Sequence, residues 1–142
     1  MSNKVLVDTN IFVYTRDRSE PEKQEKAQEI LNKLVELETG VISTQVLAEF
    51  FTKVTSPRFS SPIEITEAYI ELEALIGNWE VKEVTSLVVL EAARGVRDYQ
   101  FSYWDAQLWA VAKLNQIPLI YSEDFNVGAE IELVRFVNPL TD

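Results

Sequence analysis

The sequence predicts an α/β domain, a mostly parallel sheet with helices packed around it. Short apolar runs recur along the chain, as expected of strands buried on both faces. Between them stand longer stretches with apolar residues at helical spacing. Strands that alternate with helices in this way build parallel sheets through helical crossovers. No internal repeat, low-complexity tract or linker composition divides the 142 residues, so one domain over 1–142 is expected.

The elements follow in order. Val5-Leu6-Val7 reads as a strand ending at Asp8, and residues 10–15 as a short helical turn. Ser19-Glu20-Pro21-Glu22 opens a helix, with proline and acids in its first turn. That helix keeps Ala27, Ile30, Leu31, Leu34 and Leu37 on one stripe. Gly40 ends the connection, Val41-Ile42-Ser43 forms a second strand, and a helix covers 44–54. Residues 55–62 carry Ser, Pro and Arg and read as a loop. Ser61-Pro62-Ile63-Glu64 has the pattern of a capping box, which predicts a helix from there to Gly77. A strand at 80–84 precedes helices at 86–98 and 103–115. Residues 118–121 and 134–137 supply the last two strands.

Composition narrows the chemistry. The chain has no His and no Cys, which excludes a Ser-His-Asp triad, a Cys-His pair, a disulfide framework and His- or thiolate-ligated zinc. Catalysis near neutral pH must then use carboxylates, hydroxyls, Lys, Arg, Tyr or a hard metal ion, and oxygen ligands favour Mg²⁺ or Mn²⁺. No apolar run is long enough to span a membrane. Met1-Ser2-Asn3-Lys4 is too short and too charged for a signal peptide, and a cytoplasmic location is expected. The net charge of −10 runs against nucleic-acid binding and suits a basic partner or bound cations.

Acids recur at strand ends and helix mouths. Ligands of open α/β sheets bind outside the carboxyl ends of the strands. Asp8 follows the first strand directly and Asp124 follows the fourth by three residues, which puts both on that edge. Glu49 lies on a helix face with Gln45, Thr52 and Ser56, and Asp105 stands at the mouth of a helix that is apolar nearly all round. Each has a structural alternative: a helix cap for Asp8 and Asp105, a solvated stripe for Glu49, a turn for Asp124. Thr9, Asn10 and Ser122 are polar neighbours able to support a site, Thr9 or Asn10 by holding water or phosphate at a helix start. Arg16, Arg18, Lys53 and Arg58 are candidates for contact with a phosphate backbone, with ordinary surface ion pairing as the other reading, as for Arg94 and Arg97. Trp79, Trp104 and Trp109 are expected in the core, with a dimer interface as the other reading.

Four stretches together resemble PIN-domain ribonucleases, and within them the VapC-like toxins of VapBC modules. They are Val5 to Tyr14, Ser43-Thr44-Gln45-Val46-Leu47-Ala48-Glu49-Phe50, Ser102-Tyr103-Trp104-Asp105-Ala106 and Tyr121-Ser122-Glu123-Asp124-Phe125. Val134 to Pro139 looks like the family's last strand. The resemblance implies a three-layer domain with five strands in the order 3-2-1-4-5 and helices on both faces. It implies one or two Mg²⁺ or Mn²⁺ ions, with Asp8 and Asp105 as direct ligands and Glu49 and Asp124 as ligands through water or positioners of it. It also implies endoribonuclease activity through water activated by the metal, an RNA substrate, a homodimer and a cognate antitoxin with a basic segment. Two other classes stay open at this point. One is a non-catalytic PIN-like binding module. The other is another Mg²⁺-dependent phosphotransfer protein, although Asp8-Thr9-Asn10 lacks the second acid that a haloacid-dehalogenase-like phosphatase needs.

Overall fold

The computed structural model describes residues 2–141. In chain order the elements are β1 (Val5–Val7), α1 (Thr9–Tyr14), α2 (Pro21–Leu37), β2 (Gly40–Ser43), α3 (Thr44–Val54) and α4 (Ile65–Asn78). There follow β3 (Glu80–Lys82), α5 (Ser86–Tyr99), α6 (Tyr103–Leu114), β4 (Leu119–Tyr121), β5 (Glu130–Ile131) and β6 (Val134–Val137). The sheet runs β3-β2-β1-β4-β6-β5. Its first five strands are parallel, in the order that the family resemblance implied. The sixth, β5, is a two-residue antiparallel addition at the edge, too short to register as an apolar run.

β1 occupies the middle because all three of its residues are buried. Its register pairs Leu6 with Val41 on one side and Ile120 on the other. The chain steps from β1 outward to β2 and β3, then returns past β1 to β4 and β6. Right-handed crossovers place helices of the outward path and of the return path on opposite faces. Contacts agree: α1 packs on α2 and α3, α3 packs on α4, and α5 packs on α6. α6 is the most buried helix, with Ala106 through Ala112 all enclosed. Trp109 is fully buried and Trp79 nearly so, whereas Trp104 is 62 % exposed, contrary to the core placement expected for it.

Local differences have local causes. α4 begins at Ile65 with Glu64 as an uncapped N-terminus, three residues later than the capping-box pattern implied. The Ile63 N–H is held by the Val54 carbonyl at 2.9 Å, and Ser61 Oγ accepts from the Arg18 N–H, so this segment is tied to its neighbours instead of coiling. Gly40 is part of β2 and not merely its lead-in. A Cβ there would lie 2.3 Å from the Trp79 ring, so the strand passes the indole only because this residue has no side chain.

Candidate active site

The direction of travel reverses between β1 and β4, which is where a doubly wound sheet opens a crevice. The two strand ends are joined there, with the Asp8 N–H donating to the Tyr121 carbonyl at 2.8 Å. Asp8 leaves β1 and caps α1, its Oδ1 accepting from the Thr9 N–H at 2.7 Å. Its Oδ2 accepts from Ser122 Oγ at 2.8 Å. The expected cap and the expected site residue are therefore the same group.

Ser122 is fully buried just past β4. Its hydroxyl accepts from the Phe125 N–H at 3.1 Å, which shapes the turn that carries Asp124. Its single proton serves Asp8 at 2.8 Å better than Asp124 Oδ1 at 3.4 Å. Asp124 is exposed and takes a firmer bond from Asn10 Nδ2 at 3.1 Å. Asn10 Oδ1 in turn accepts from the Glu123 N–H at 3.4 Å. Thr9 is buried, and its hydroxyl donates to Glu49 Oε1 at 2.8 Å. Thr9 and Asn10 thus brace carboxylates, where the sequence suggested that they would hold water or phosphate.

Glu49 reaches this point because Ser43, at the end of β2, caps α3 by accepting from the Val46 N–H. Gln45, one turn earlier, contacts Glu49 Oε1 at 3.5 Å and donates to the Trp104 carbonyl at 3.1 Å. Ser102 caps α6 by accepting from the Asp105 N–H at 3.3 Å. The polar groups so far form one chain, Glu49–Thr9–Asp8–Ser122–Asp124–Asn10. Asp105 joins it through space. Burial above all holds its carboxyl above the usual range, against a hydrogen bond from Ser102, with lesser repulsion from Asp124 and Glu49 added.

Among these four acids Asp8 carries the largest perturbation. Burial above all, then the charges of Asp124 and Asp105, raise its pKa from 3.8 to about 6, although Ser122 and the Thr9 N–H both favour the anion. Burial that outweighs two stabilising donors, with smaller repulsion from Asp124 and Asp105 added, makes a charge at Asp8 costly to leave uncompensated. A cation compensates such a charge. The donor set is all oxygen, which fits a hard divalent ion. Among the described residues no three acids close around one point as they stand. Mg²⁺ retains several waters and needs only one or two carboxylates directly, so the arrangement fits a hydrated ion, not a protein cage.

The expected basic residues divide. Arg16 is committed to Glu71, with Nε donating at 3.0 Å, and lies 3.8 Å from Glu67. Arg94 joins Glu91, Asp98 and Glu132, and Arg97 pairs with Asp98. Arg18, Lys53 and Arg58 are exposed and form no ion pair among the described residues. Sequence reasoning missed Lys23, which pairs with Glu123 at 2.6 Å beside Asp124, and Gln107, which donates to Gln45 at 2.9 Å. Gln45 was detectable one turn from Glu49; nothing in the sequence marked Lys23.

A family model described as the PIN domain matches residues 5–128. No curated protein matches the chain significantly in sequence. Among solved structures, VapC20 of Mycobacterium tuberculosis, a sarcin-ricin loop cleaving toxin, is similar with a TM-score of 0.67 and 17 % identity, over 91 % of this chain and 98 % of that one. VapBC2 of Rickettsia felis, bound to promoter DNA, has a TM-score of 0.66 and 15 % identity, over 93 % and 96 %. A toxin-antitoxin complex of Klebsiella pneumoniae has a TM-score of 0.67 and 14 % identity, over 96 % and 98 %. At these identities the likeness is one of fold. The sheet order, the carboxylates gathered at the β1–β4 crevice and the family match lead to one assignment: the chain belongs to the PIN domain family.

Proposed function

We propose that this protein is a divalent-metal-dependent endoribonuclease and the toxin of a toxin–antitoxin pair. The observation that carries the catalytic part is the buried carboxylate of Asp8 with Asp124 and Asp105 near it, whose pKa burial above all raises to about 6 although two hydrogen bonds favour its anion. A cation among oxygen ligands would account for four acids from separate stretches of the chain standing at one crevice without closing on a single point. Asp8 and Asp105 are the residues that would hold Mg²⁺ or Mn²⁺, with Asp124 and Glu49 orienting water around it. When bound, such an ion supplies Lewis acidity for activating water and stabilising the departing oxygen of a phosphodiester.

The chain's own residues do the rest. Ser122 and the Thr9 N–H fix the two oxygens of Asp8, so its carboxylate presents one orientation. Thr9 and Gln45 hold Glu49 Oε1. Asn10 aims Asp124. No side-chain nucleophile is needed, which suits a chain without His or Cys. Attack by water leaves a 5′-phosphate. Among the described residues no helix is long and apolar enough to cross a membrane.

The toxin role draws on the likeness to VapC20 and to toxin–antitoxin complexes. It implies a homodimer and an antitoxin whose basic segment would lie against a chain of net charge −10. The test is purified protein on RNA with EDTA, Mg²⁺ or Mn²⁺, alongside Asp8→Asn, with light scattering for the dimer. Metal-restored cleavage with 5′-phosphate ends is expected. Cleavage in EDTA leaving 2′,3′-cyclic ends would overturn the reading. A non-catalytic binding module is the second reading, favoured by the lack of a ready-made three-acid cluster among the described residues. A Mn²⁺ titration without binding would bring it forward.

A further inference from the structure

We propose that Trp104 is a stacking platform for a nucleobase flanking the scissile phosphate, an inference that rests on the ribonuclease reading. Trp104 directly precedes Asp105, in the first turn of α6. Its ring is 62 % exposed, whereas every residue from Ala106 to Ala112 on the same helix is buried. An indole left in water forfeits the burial that usually places tryptophan inside.

The ring is exposed but not loose. Tyr103 packs against it edge to face at 5.0 Å. A run of side-chain bonds then anchors its backbone. The Tyr103 hydroxyl donates to Gln107 Oε1 at 2.8 Å, Gln107 Nε2 to Gln45 Oε1 at 2.9 Å, and Gln45 Nε2 to the Trp104 carbonyl at 3.1 Å. The same Gln45 amide touches Glu49. Trp104, Glu49, Gln45, Gln107 and Val84 line a cavity of about 440 Å³.

Glu49 belongs both to this cavity and to the carboxylate cluster. A strand whose phosphate lies among the acids therefore has a neighbouring nucleotide at the indole. Stacking accepts any base, since every base has a π face. It is also a source of affinity that net negative charge does not oppose. A chain at −10 gains from one of that kind.

Fluorescence tests this directly, because Trp79 and Trp109 are buried and Trp104 is the accessible indole. Metal-free Asp8→Asn protein, which cannot cleave, is titrated with a short single-stranded oligoadenylate and with an abasic ribose-phosphate oligomer of equal length. The oligoadenylate should quench the emission and the abasic oligomer should not. Trp104→Ala should bind the oligoadenylate about ten- to a hundredfold more weakly. In cleavage that loss should fall on KM, with kcat at saturating RNA little changed, and Trp104→Phe should recover most of it. Wild-type RNA affinity in Trp104→Ala, or equal quenching by the abasic oligomer, would overturn the proposal. So would a change of oligomeric state with RNA affinity intact, which would make the ring a protein contact. If wild type cleaves and Trp104→Ala matches it in KM, stacking fails and the nuclease reading stands. If wild type neither binds nor cleaves RNA, both fail.

Discussion

Ser122 Oγ donates to Asp8 Oδ2 at 2.8 Å across 114 positions of sequence, joining the end of β4 to the end of β1. This bond favours the charged form of a carboxylate that burial and two neighbouring acids disfavour. Ser122→Ala should move the pKa of Asp8 above about 6. Loss of a hydrogen bond to a charged group should cost about 1.5–3 kcal/mol. The acidic limb of the cleavage–pH profile should move to higher pH in step with the Asp8 carboxyl signal by NMR. An unmoved profile would mean that Ser122 serves only the turn at Asp124.

Asp8 binds its proton more tightly folded than unfolded. Between 3.8 and about 6 the native chain holds a proton that the unfolded chain releases, so stability falls as pH rises through that window. In EDTA at pH 7, Asp8→Asn should therefore be more stable than the parent, by at most about 3 kcal/mol. The advantage should vanish near pH 4. Melting curves at both pH values check the sign; a mutant less stable at pH 7 would contradict the crowded-carboxylate picture.

Mn²⁺ or Mg²⁺ should raise the melting temperature of the wild type. At a hundred times Kd the stabilisation is about 2.7 kcal/mol. Asp8→Asn and Asp105→Asn should abolish the shift, and Glu49→Gln and Asp124→Asn should only reduce it. Equal loss in all four variants would argue for four direct ligands.

Arg16 is neutralised by Glu71 and Glu67, whereas Arg18, Lys53 and Arg58 are exposed and unpaired among the described residues. Arg16→Ala should leave the salt dependence of RNA binding unchanged. Each of Arg18→Ala, Lys53→Ala and Arg58→Ala that removes a phosphate contact should lower the log–log slope by about 0.7 for single-stranded RNA. Binding isotherms across a salt series separate the two groups.

Gly40→Ala would drive a Cβ to 2.3 Å from the Trp79 ring, whereas a Cβ at Gly77 meets nothing within 4 Å. The first should cost about 1–3 kcal/mol by overpacking. The second replaces glycine inside α4 and should stabilise by about 0.5–1 kcal/mol. Urea denaturation of the pair reads both.

The fold was legible because its signals are local. α3 and β6 fall where the periodicity put them, and β1 is recognisable from three apolar residues with an acid after them. Ser102 caps α6 through the short-range bond that its spacing to Asp105 implied, and Ser43 caps α3 in the same way. Ser61 shows the limit of such reasoning. It has the same capping pattern, yet the Ile63–Val54 bond holds that segment out of the helix. Trp104 shows it too, since composition alone sends tryptophan to the core.

The sequence by itself determined the alternation of strands and helices, the exclusion of histidine and thiolate chemistry, and the identity of the acids at the sheet's carboxyl edge. These follow from side-chain type and from periods of two and 3.6, which act over a few residues. Only the tertiary structure decided that Thr9 braces Glu49, that Ser122 joins Asp8, that Asp105 reaches the others through space, and that Arg16 is already paired. Those relations span tens of residues. Hydrogen bonding, burial and charge depend on distances that the chain sets only when its crossovers bring β1, β4, α3 and α6 to one edge. Asp8 is an aspartate in either description; its raised pKa belongs to the folded crevice alone.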